Sequence, residues 1–346
     1  NVQGDRTMGI NENPSQEFLD KLDEVFSINS PRNKGYDVVE SIKAMYDRKA
    51  KVFFAMGGNF LSASPDTEMT AQALRNCRLT AHVSTKLNRS HLIHGEEALI
   101  LPCLSRSDLD LVNGNVQFVS CENSTGVVQS SKGVLKPVSD KLLSEPEIVI
   151  RLAKKTLVKK SVIDWNKYLD YDEIRNDIEK TIPGFEDYNK RVRERGGFYL
   201  PNCNREGKFD TKDSKANFNI SIYKPIELKE DELLLMTIRS HDQFNTTIYG
   251  LDDRYRGIYN ERRVIMMNKK DIEKRGLKNE DAVNLYNFTG NKERKADNFI
   301  VSEYPIPEGC AAAYFPETNV LVPIESVADK SNTPASKQII IKIKKR

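Results

Sequence analysis

The sequence predicts an α/β fold, a Rossmann-like open sheet, followed by a C-terminal β-barrel. Three observations carry that expectation. Between residues 36 and 104, a helically spaced stretch alternates with short continuous apolar runs, the pattern of strands buried in an open sheet. Residues 164–195 are charged and helically spaced. From residue 217 onward, short apolar runs separated by turn residues dominate, as in a barrel or sandwich.

The elements follow in chain order. YDVVESIKAMYDRK (36–49) places apolar residues at helical spacing. KVFFAMGGN (51–59) is a buried strand running into a tight Gly-Gly-Asn loop. Asp66 caps a helix that opens at Thr67 and runs to about 77. LTAHVST (79–85) is a second strand and EALILPCL (97–104) a third, also read as buried. VQFVSCEN (116–123) and the segment after it form a small hairpin. SEPEIVIRLAKKTL (144–157) is a helix with Ser144 as N-cap, Pro146 in its first turn and lysines near its end. Pro183-Gly184 divides the helical stretch 164–195, and 196–216 is a linker or surface loop. Trp165, the single tryptophan, is a core anchor. FNISIYK, LLLMTIRS, RRVIMMN, AVNLYNF, NFIVSEY, AAYFP, NVLVPI and KQIIIKIK are the barrel strands, with KKDIEKRG a short helix among them. The expected domains are 1–163 (α/β), 164–216 (helices and linker) and 217–346 (barrel).

Bulk properties narrow the function. A chain of 346 residues exceeds what one core usually supports. With 38% hydrophobic and 30% charged residues it is an ordinary globular protein. Net charge is 53 − 50 = +3, too small to argue for nucleic acid, and RVRER (191–195) lacks interleaved aromatics. The basic tail IKIKKR is a solvated end. No apolar run approaches the roughly 20 residues of a membrane span, and no signal peptide is visible. NVQGDRTMGI reads like the middle of a motif, so residues upstream are expected in the intact protein. Five scattered cysteines without a CxxC pair give neither a zinc site nor a disulfide framework. Most are expected to be small core residues in a reducing cytoplasm. His91 and His94 sit three apart with no third ligand in reach, which does not make a metal site. The carboxylates of 164–189 read as a solvated helix face.

One stretch stands out. In LLLMTIRSHDQFNTTIYG (233–250), an apolar strand runs into Arg239, Ser240, His241, Asp242, Gln243, Asn245, Thr246 and Thr247. So many donors and acceptors suit a phosphate- and base-bearing ligand, or a polar loop capping the barrel. AAAYFPETNVLVP (311–323) and SNTPASK (331–337) add Asn residues beside strands. The loops Met56-Gly57-Gly58-Asn59 and Ser84-Thr85-Lys86 lie after strand ends, where open α/β sheets bind phosphate-type ligands. His241 either meets such a ligand or is a satisfied buried histidine.

The order of these segments carries a resemblance: an NVQG segment, the strand ending in Gly-Gly-Asn, a Val-Ser-Thr turn before ALILPC, TIRSHDQFNT, ETNVL and NTPASK. It is similar to the C-terminal half of molybdopterin oxidoreductases of the dimethyl-sulfoxide-reductase superfamily, within a formate-dehydrogenase-like alpha-subunit group. The resemblance covers nearly the whole chain. It implies two molybdopterin guanine dinucleotides around one molybdenum in the intact protein, and a double-psi-type barrel touching both. By the same resemblance, Gly57, Gly58 and Asn59 line one nucleotide, the glycines allowing close backbone approach. Ser84 and Thr85 lie near a guanine or ribose, and Arg106 stands where the family often has a basic residue. Thr237, Arg239, Ser240, His241, Gln243, Asn245 and Thr246 wrap the pterin and pyrophosphate, and Asn319 and Lys337 complete the barrel side. The Ser-Thr-Lys turn departs from many relatives, which carry there an acidic residue pairing with guanine N–H groups.

The metal ligand, and the cysteines of any 4Fe–4S cluster, are expected in the N-terminal half, so no catalytic residue is assigned here. The implied activity is two-electron oxidation of a small substrate, formate first, with an electron-acceptor protein as partner. The competing reading is a nucleotide-binding regulatory module without redox chemistry.

Overall fold

The computed structural model describes residues 2–157 and 161–346; Asn1, the first residue of the NVQG segment, lies outside them. The chain divides into two compact units, each made of two stretches: Asn1–Gly35 with Pro102–Tyr223, and Tyr36–Leu101 with Lys224–Arg346. This replaces the contiguous division expected at 163 and 216. The physical reason lies in the second unit, where a core of Val39, Ile42, Leu61 and Leu74 also takes in Ile324 from the far end of the sequence.

The first unit holds a hairpin of Val119–Glu122 with Val127–Ser131, extended by Phe198–Tyr199. Phe185, Tyr188 and Val192 pack against Val128 and Phe198. Its helices include Gln16–Phe26, Glu145–Thr156 and Tyr171–Thr181. Ser144 caps the second of these as expected, its hydroxyl accepting from Glu147 N. Trp165 is not a core anchor: it is half-buried, and its indole N–H donates to Ser161 Oγ. The buried aromatic is Tyr168, whose hydroxyl donates to Asp177.

The second unit positions the site. Helix α1 (Val38–Tyr46) starts with a capping box between Asp37 and Glu40. Strand β1 (Val52–Met56) pairs in parallel with β2 (Leu79–Ser84), and β3 (Glu97–Pro102) completes a three-stranded sheet in the order β1-β2-β3. The short α2 (Phe60–Ala63) and α3 (Thr67–Arg75) connect β1 to β2. β3 is exposed along its whole length, contrary to the buried strand expected. Its apolar run favours burial, yet Leu99, Ile100 and Leu101 remain 48%, 48% and 37% exposed.

Asp66 stands at the start of α3 but makes no side-chain cap. Its buried carboxylate instead takes two hydrogen bonds from Arg294, at 3.0 and 2.8 Å, and one from Lys292 at 2.9 Å. A buried charge is tolerable only when paired in this way.

The barrel is closed and six-stranded. Its strands are β4 (Glu232–Ile238), β5 (Val264–Met267), β6 (Ala282–Asn287), β7 (Arg294–Glu303), β8 (Cys310–Tyr314) and β9 (Ile339–Lys345), in the order β5-β7-β6-β9-β4-β8. β4 runs parallel to β8 and β5 parallel to β7; the other pairs are antiparallel. Leu233, Leu235, Ile265, Met267, Val283, Leu285, Phe299 and Ile341 fill the interior. The second face of β5 is also buried, with Val264 and Met266 packed against Ala312 and Tyr314. Helix α4 (Lys269–Lys274) is the short helix expected.

Two expected strands do not form. FNISIYK carries no regular structure, and Phe218 is 99% exposed. NVLVPI begins as a 3-10 turn, Asn319–Leu321. Apolar composition alone cannot separate a strand from a buried turn or an unpaired segment. The cysteines also depart from expectation: Cys77 and Cys103 are buried, but Cys121 and Cys203 are exposed.

Candidate functional site

Parallel pairing sets the carboxyl ends of β4 and β8 side by side, with Phe315 N donating to Ile238 O. The polar run after β4 therefore emerges beside Phe315. Its geometry is fixed from beneath by Arg262, which is 7% exposed. That guanidinium donates to Ser240 Oγ (2.8 Å), Gln243 Oε1 (2.8 Å), Phe315 O (3.0 Å) and Glu317, and lies over the Tyr314 ring at 4.3 Å. Gln243 in turn donates to Phe315 O and Asn245 O. Ser240 and Gln243 are thus buried struts. Thr237 is buried too, its N–H donating to Ser336 O.

What remains for a ligand is different. Arg239 is exposed, over the Phe315 ring at 5.4 Å, and has no carboxylate partner among the described residues. Lys337, from the NTPASK segment, donates to Thr237 O and likewise has no acidic partner among them. Burial, then the Arg239 charge, push its ammonium below the usual lysine range. Two neighbouring cations without counter-charge favour an anion between them. Asn332 of the same segment holds it in place by donating to the Asp37 carboxylate at 3.1 and 2.9 Å.

His241 sits between two carboxylates: its Nε2 is 3.2 Å from Asp242 and its Nδ1 3.6 Å from Asp253. Asp253 is buried and accepts from Arg256 at 2.5 Å and from the Tyr314 hydroxyl at 2.9 Å. Burial pushes its carboxyl up, but those hydrogen bonds and the Arg256 charge outweigh burial and hold it below the usual carboxylate range. His241 Nδ1 and Asp253 Oδ1 have no hydrogen-bond partner. These two buried atoms face each other at 3.6 Å, just beyond hydrogen-bond reach. Asn245, at φ 47°, and Thr246 lie on the outer part of the loop.

The second cluster lies at the carboxyl ends of β1 and β2. Gly57 and Gly58 adopt φ of 67° and 71°, and a Cβ on Gly58 would meet nothing within 4 Å. Open space over a glycine backbone lets a ligand approach closely. Gly57 N donates to Val83 O, and Asn88 Nδ2 to Gly58 O at 2.8 Å. Asn59 caps α2 and accepts from Ser90 Oγ. Ser84 ends β2 half-buried, Thr85 is exposed, and Ser84 Oγ lies 3.2 Å from His91 Nε2. Asn319 is buried and donates to Ser62 O at 2.6 Å, so it ties α2 to the turn after β8. Arg106 belongs to the other unit, where it donates to Ser131 O and Oγ.

The residues that sequence reasoning missed are Arg262, Asp253, Arg256, Asn88 and His91. Each acts through partners distant in sequence or through a local cap. Among these, only the Asn88–His91 spacing carried a readable signal, that of an N-terminal cap.

Residues 233–340 match the family model described as Molydopterin dinucleotide binding domain. With the oxidoreductase-named relatives, this match makes the chain similar to the C-terminal part of molybdopterin oxidoreductases. An uncharacterized oxidoreductase of Mycobacterium tuberculosis is 50% identical over 350 residues, covering 99% of this chain and 45% of that protein. Protein YdeP of Escherichia coli is 41% identical over 351 residues, covering 99% of this chain and 46% of its own length. The chain spans about half the length of the curated relatives it matches. Acetylene hydratase from Pelobacter acetylenicus shares the fold, with a TM-score of 0.62 at 14% identity over 99% of this chain and 50% of that one.

The residues present fit such a cofactor. Arg239 and Lys337 offer charge to a pyrophosphate, and the Gly57-Gly58 loop offers open backbone. No helix among the described residues is long and apolar enough to cross a membrane.

Proposed function

We propose that this chain binds molybdopterin guanine dinucleotide, with two such dinucleotides around one molybdenum in the intact protein. The observation carrying this reading is the pair of cations, Arg239 and Lys337, left without acidic partners inside the matched dinucleotide-binding region. Arg239, Lys337 and His241 bind pyrophosphate and pterin, while Arg262 keeps their loop in register. The crevice beside Gly57, Gly58 and Ser84 takes a nucleotide. On this reading the barrel is of the double-psi type and the three-stranded sheet is part of a Rossmann-like one. The bound metal supplies two-electron redox chemistry, and the metal ligand and any 4Fe–4S cluster belong to the rest of the protein. The intact enzyme oxidises formate or another small substrate in the cytoplasm and passes electrons to an acceptor protein.

The test is the metal and guanine-nucleotide content of the full-length protein from a host that makes the cofactor. One molybdenum and two guanine nucleotides per chain are expected, with formate-dependent dye reduction. Full loading without formate activity would remove formate and leave the cofactor reading. Neither metal nor guanine would put a regulatory nucleotide-binding module ahead.

A further inference from the structure

We infer that residues 217–223 are an unpaired strand that adds to a sheet in the part of the full-length protein lying outside this chain. This goes beyond the cofactor reading and does not rest on it. It needs only that the intact protein has the length of its curated relatives, of which this chain covers 45% and 46%.

The segment is written as a strand. In Asn217-Phe218-Asn219-Ile220-Ser221-Ile222-Tyr223, large apolar residues alternate with small polar ones up to the final tyrosine. Alternation at period two sets Phe218, Ile220 and Ile222 on one face. Tyr223 falls on the polar face, where its hydroxyl is compatible with water. Turn chemistry bounds the run on both sides. Thr211 Oγ accepts from Lys215 N and donates to Lys215 O, and Ser214 stands at φ 54°. Pro225 follows, and it has no N–H to give to a ladder.

The structure gives this strand no neighbour. Phe218, Ile220, Ile222 and Tyr223 are 99%, 96%, 84% and 84% exposed. Single apolar residues at a surface need no cover, but a contiguous run at this exposure marks an interaction site. Among the described residues, no backbone hydrogen bond reaches residues 218–228. The barrel has no edge to offer, because its six strands close on themselves. Ile339–Lys345 shows what pairing does to a similar run: it lies between two strands, with Ile339 and Ile341 at 1% and 0% exposure.

The occupant follows from how constant the need is. An apolar stripe of this kind has to be covered in every molecule, at every protein concentration. A sheet on the same polypeptide does this, because a tethered edge is met at high effective concentration. The match to the relatives takes in 99% of this chain, this segment included, and more than half of each relative lies outside it. Strand addition also uses what the segment has. Its free N–H and C=O groups form the ladder, and its alternate apolar side chains set the register.

The experiment uses the full-length protein over a wide dilution range. Hydrogen–deuterium exchange is read on the peptide covering 217–223. Exchange slowed on the order of 100-fold or more against an unpaired chain is expected, unchanged by dilution. Single-cysteine variants read the face by thiol labelling and peptide mass spectrometry. Phe218→Cys, Ile220→Cys and Ile222→Cys should be protected, and Asn219→Cys and Ser221→Cys reactive. Amine cross-links from Lys215 and Lys224, both exposed, should reach lysines outside this chain within one molecule, as mixed light and heavy isotopic copies will show. Unprotected amides would overturn the inference, as would equal labelling at all five positions. Protection lost on dilution, with cross-links only between light and heavy copies, would overturn the tethered sheet in favour of a second copy. If a cysteine variant does not fold, wild-type exchange and cross-links still decide.

Discussion

The barrel and the three-stranded sheet of the second unit are written in the same apolar alphabet and end in different states. Leu285 in the barrel is fully buried, whereas Ile100 on β3 is 48% exposed. Closure explains the difference. A closed barrel has no edges, and alternate side chains of its strands share one interior. A three-stranded sheet covers its strands only where α1 and α3 pack, through Ile42, Leu74 and Cys77. The same contrast holds for polar groups. At the barrel end, Ser240, Gln243 and Thr237 are drawn inside as supports, while Gly58 and Thr85 at the sheet stay at the surface. Closure therefore decides which polar residues remain for a ligand.

The largest expected effect tests the link that holds α3 to the barrel strand β7. Asp66→Ala leaves Arg294, 3% exposed as a side chain, without the carboxylate oxygen that accepts from its Nε and Nη2. A loss of about 3–5 kcal/mol in urea unfolding is expected, the usual cost of stranding one member of a buried pair. A loss under about 1 kcal/mol would mean that Glu325, 3.5 Å away, takes over.

Next, Leu285→Ala should cost about 2–5 kcal/mol through its cavity. Ile100→Ala on β3 should change stability by less than about 0.5 kcal/mol. Equal costs in the two variants would erase the distinction between closed and open apolar strands.

Gly58→Val sharpens the comparison at the site. A β-branched residue at φ 71° is strained by about 1–2 kcal/mol even though nothing crowds its Cβ. Cofactor content should fall by more than that strain accounts for, because the side chain fills the approach to the loop. Normal content would show that no ligand comes close there. Lys337→Ala should be the mildest, weakening cofactor retention about tenfold by removing one charged donor. Unchanged retention would make Lys337 a surface residue.

A pH titration tests a buried carboxylate of the first unit. Burial raises the Asp177 carboxyl, but hydrogen bonds from Lys167, Tyr168 and Lys180 outweigh it and hold the group at about 2. A depressed carboxyl adds stability that is present above its unfolded value, near 4, and is lost as pH falls toward about 2. Wild type should therefore weaken between pH 4 and 2 by circular dichroism, and Asp177→Asn should flatten that slope. An unchanged slope in the variant would assign the acid sensitivity to other depressed carboxylates, such as Asp172, Asp37 or Asp253.

Much of this was legible from the chain. Capping by Ser144, the Gly-Gly-Asn loop, six of the barrel strands and the polar run that follows β4 are read from local rules of spacing and turn chemistry. Local rules failed where a partner lies far away. FNISIYK and KQIIIKIK look alike as patterns, yet only the second finds neighbours, pairing with β4 and β6. Asp66 looked like a cap and became a counter-ion to a residue more than two hundred positions on.

By itself, then, the sequence determined which segments are apolar, where they turn, and where cationic and polar side chains cluster, because these depend on near neighbours. The tertiary structure alone decided the closure of the barrel, the burial of Ser240, Gln243 and Asn319, the isolation of Arg239 and Lys337 as uncompensated cations, and the seating of Arg262 beneath their loop. Those outcomes depend on groups that only folding brings within hydrogen-bond reach, where the cost of an unpaired buried polar atom selects the partner.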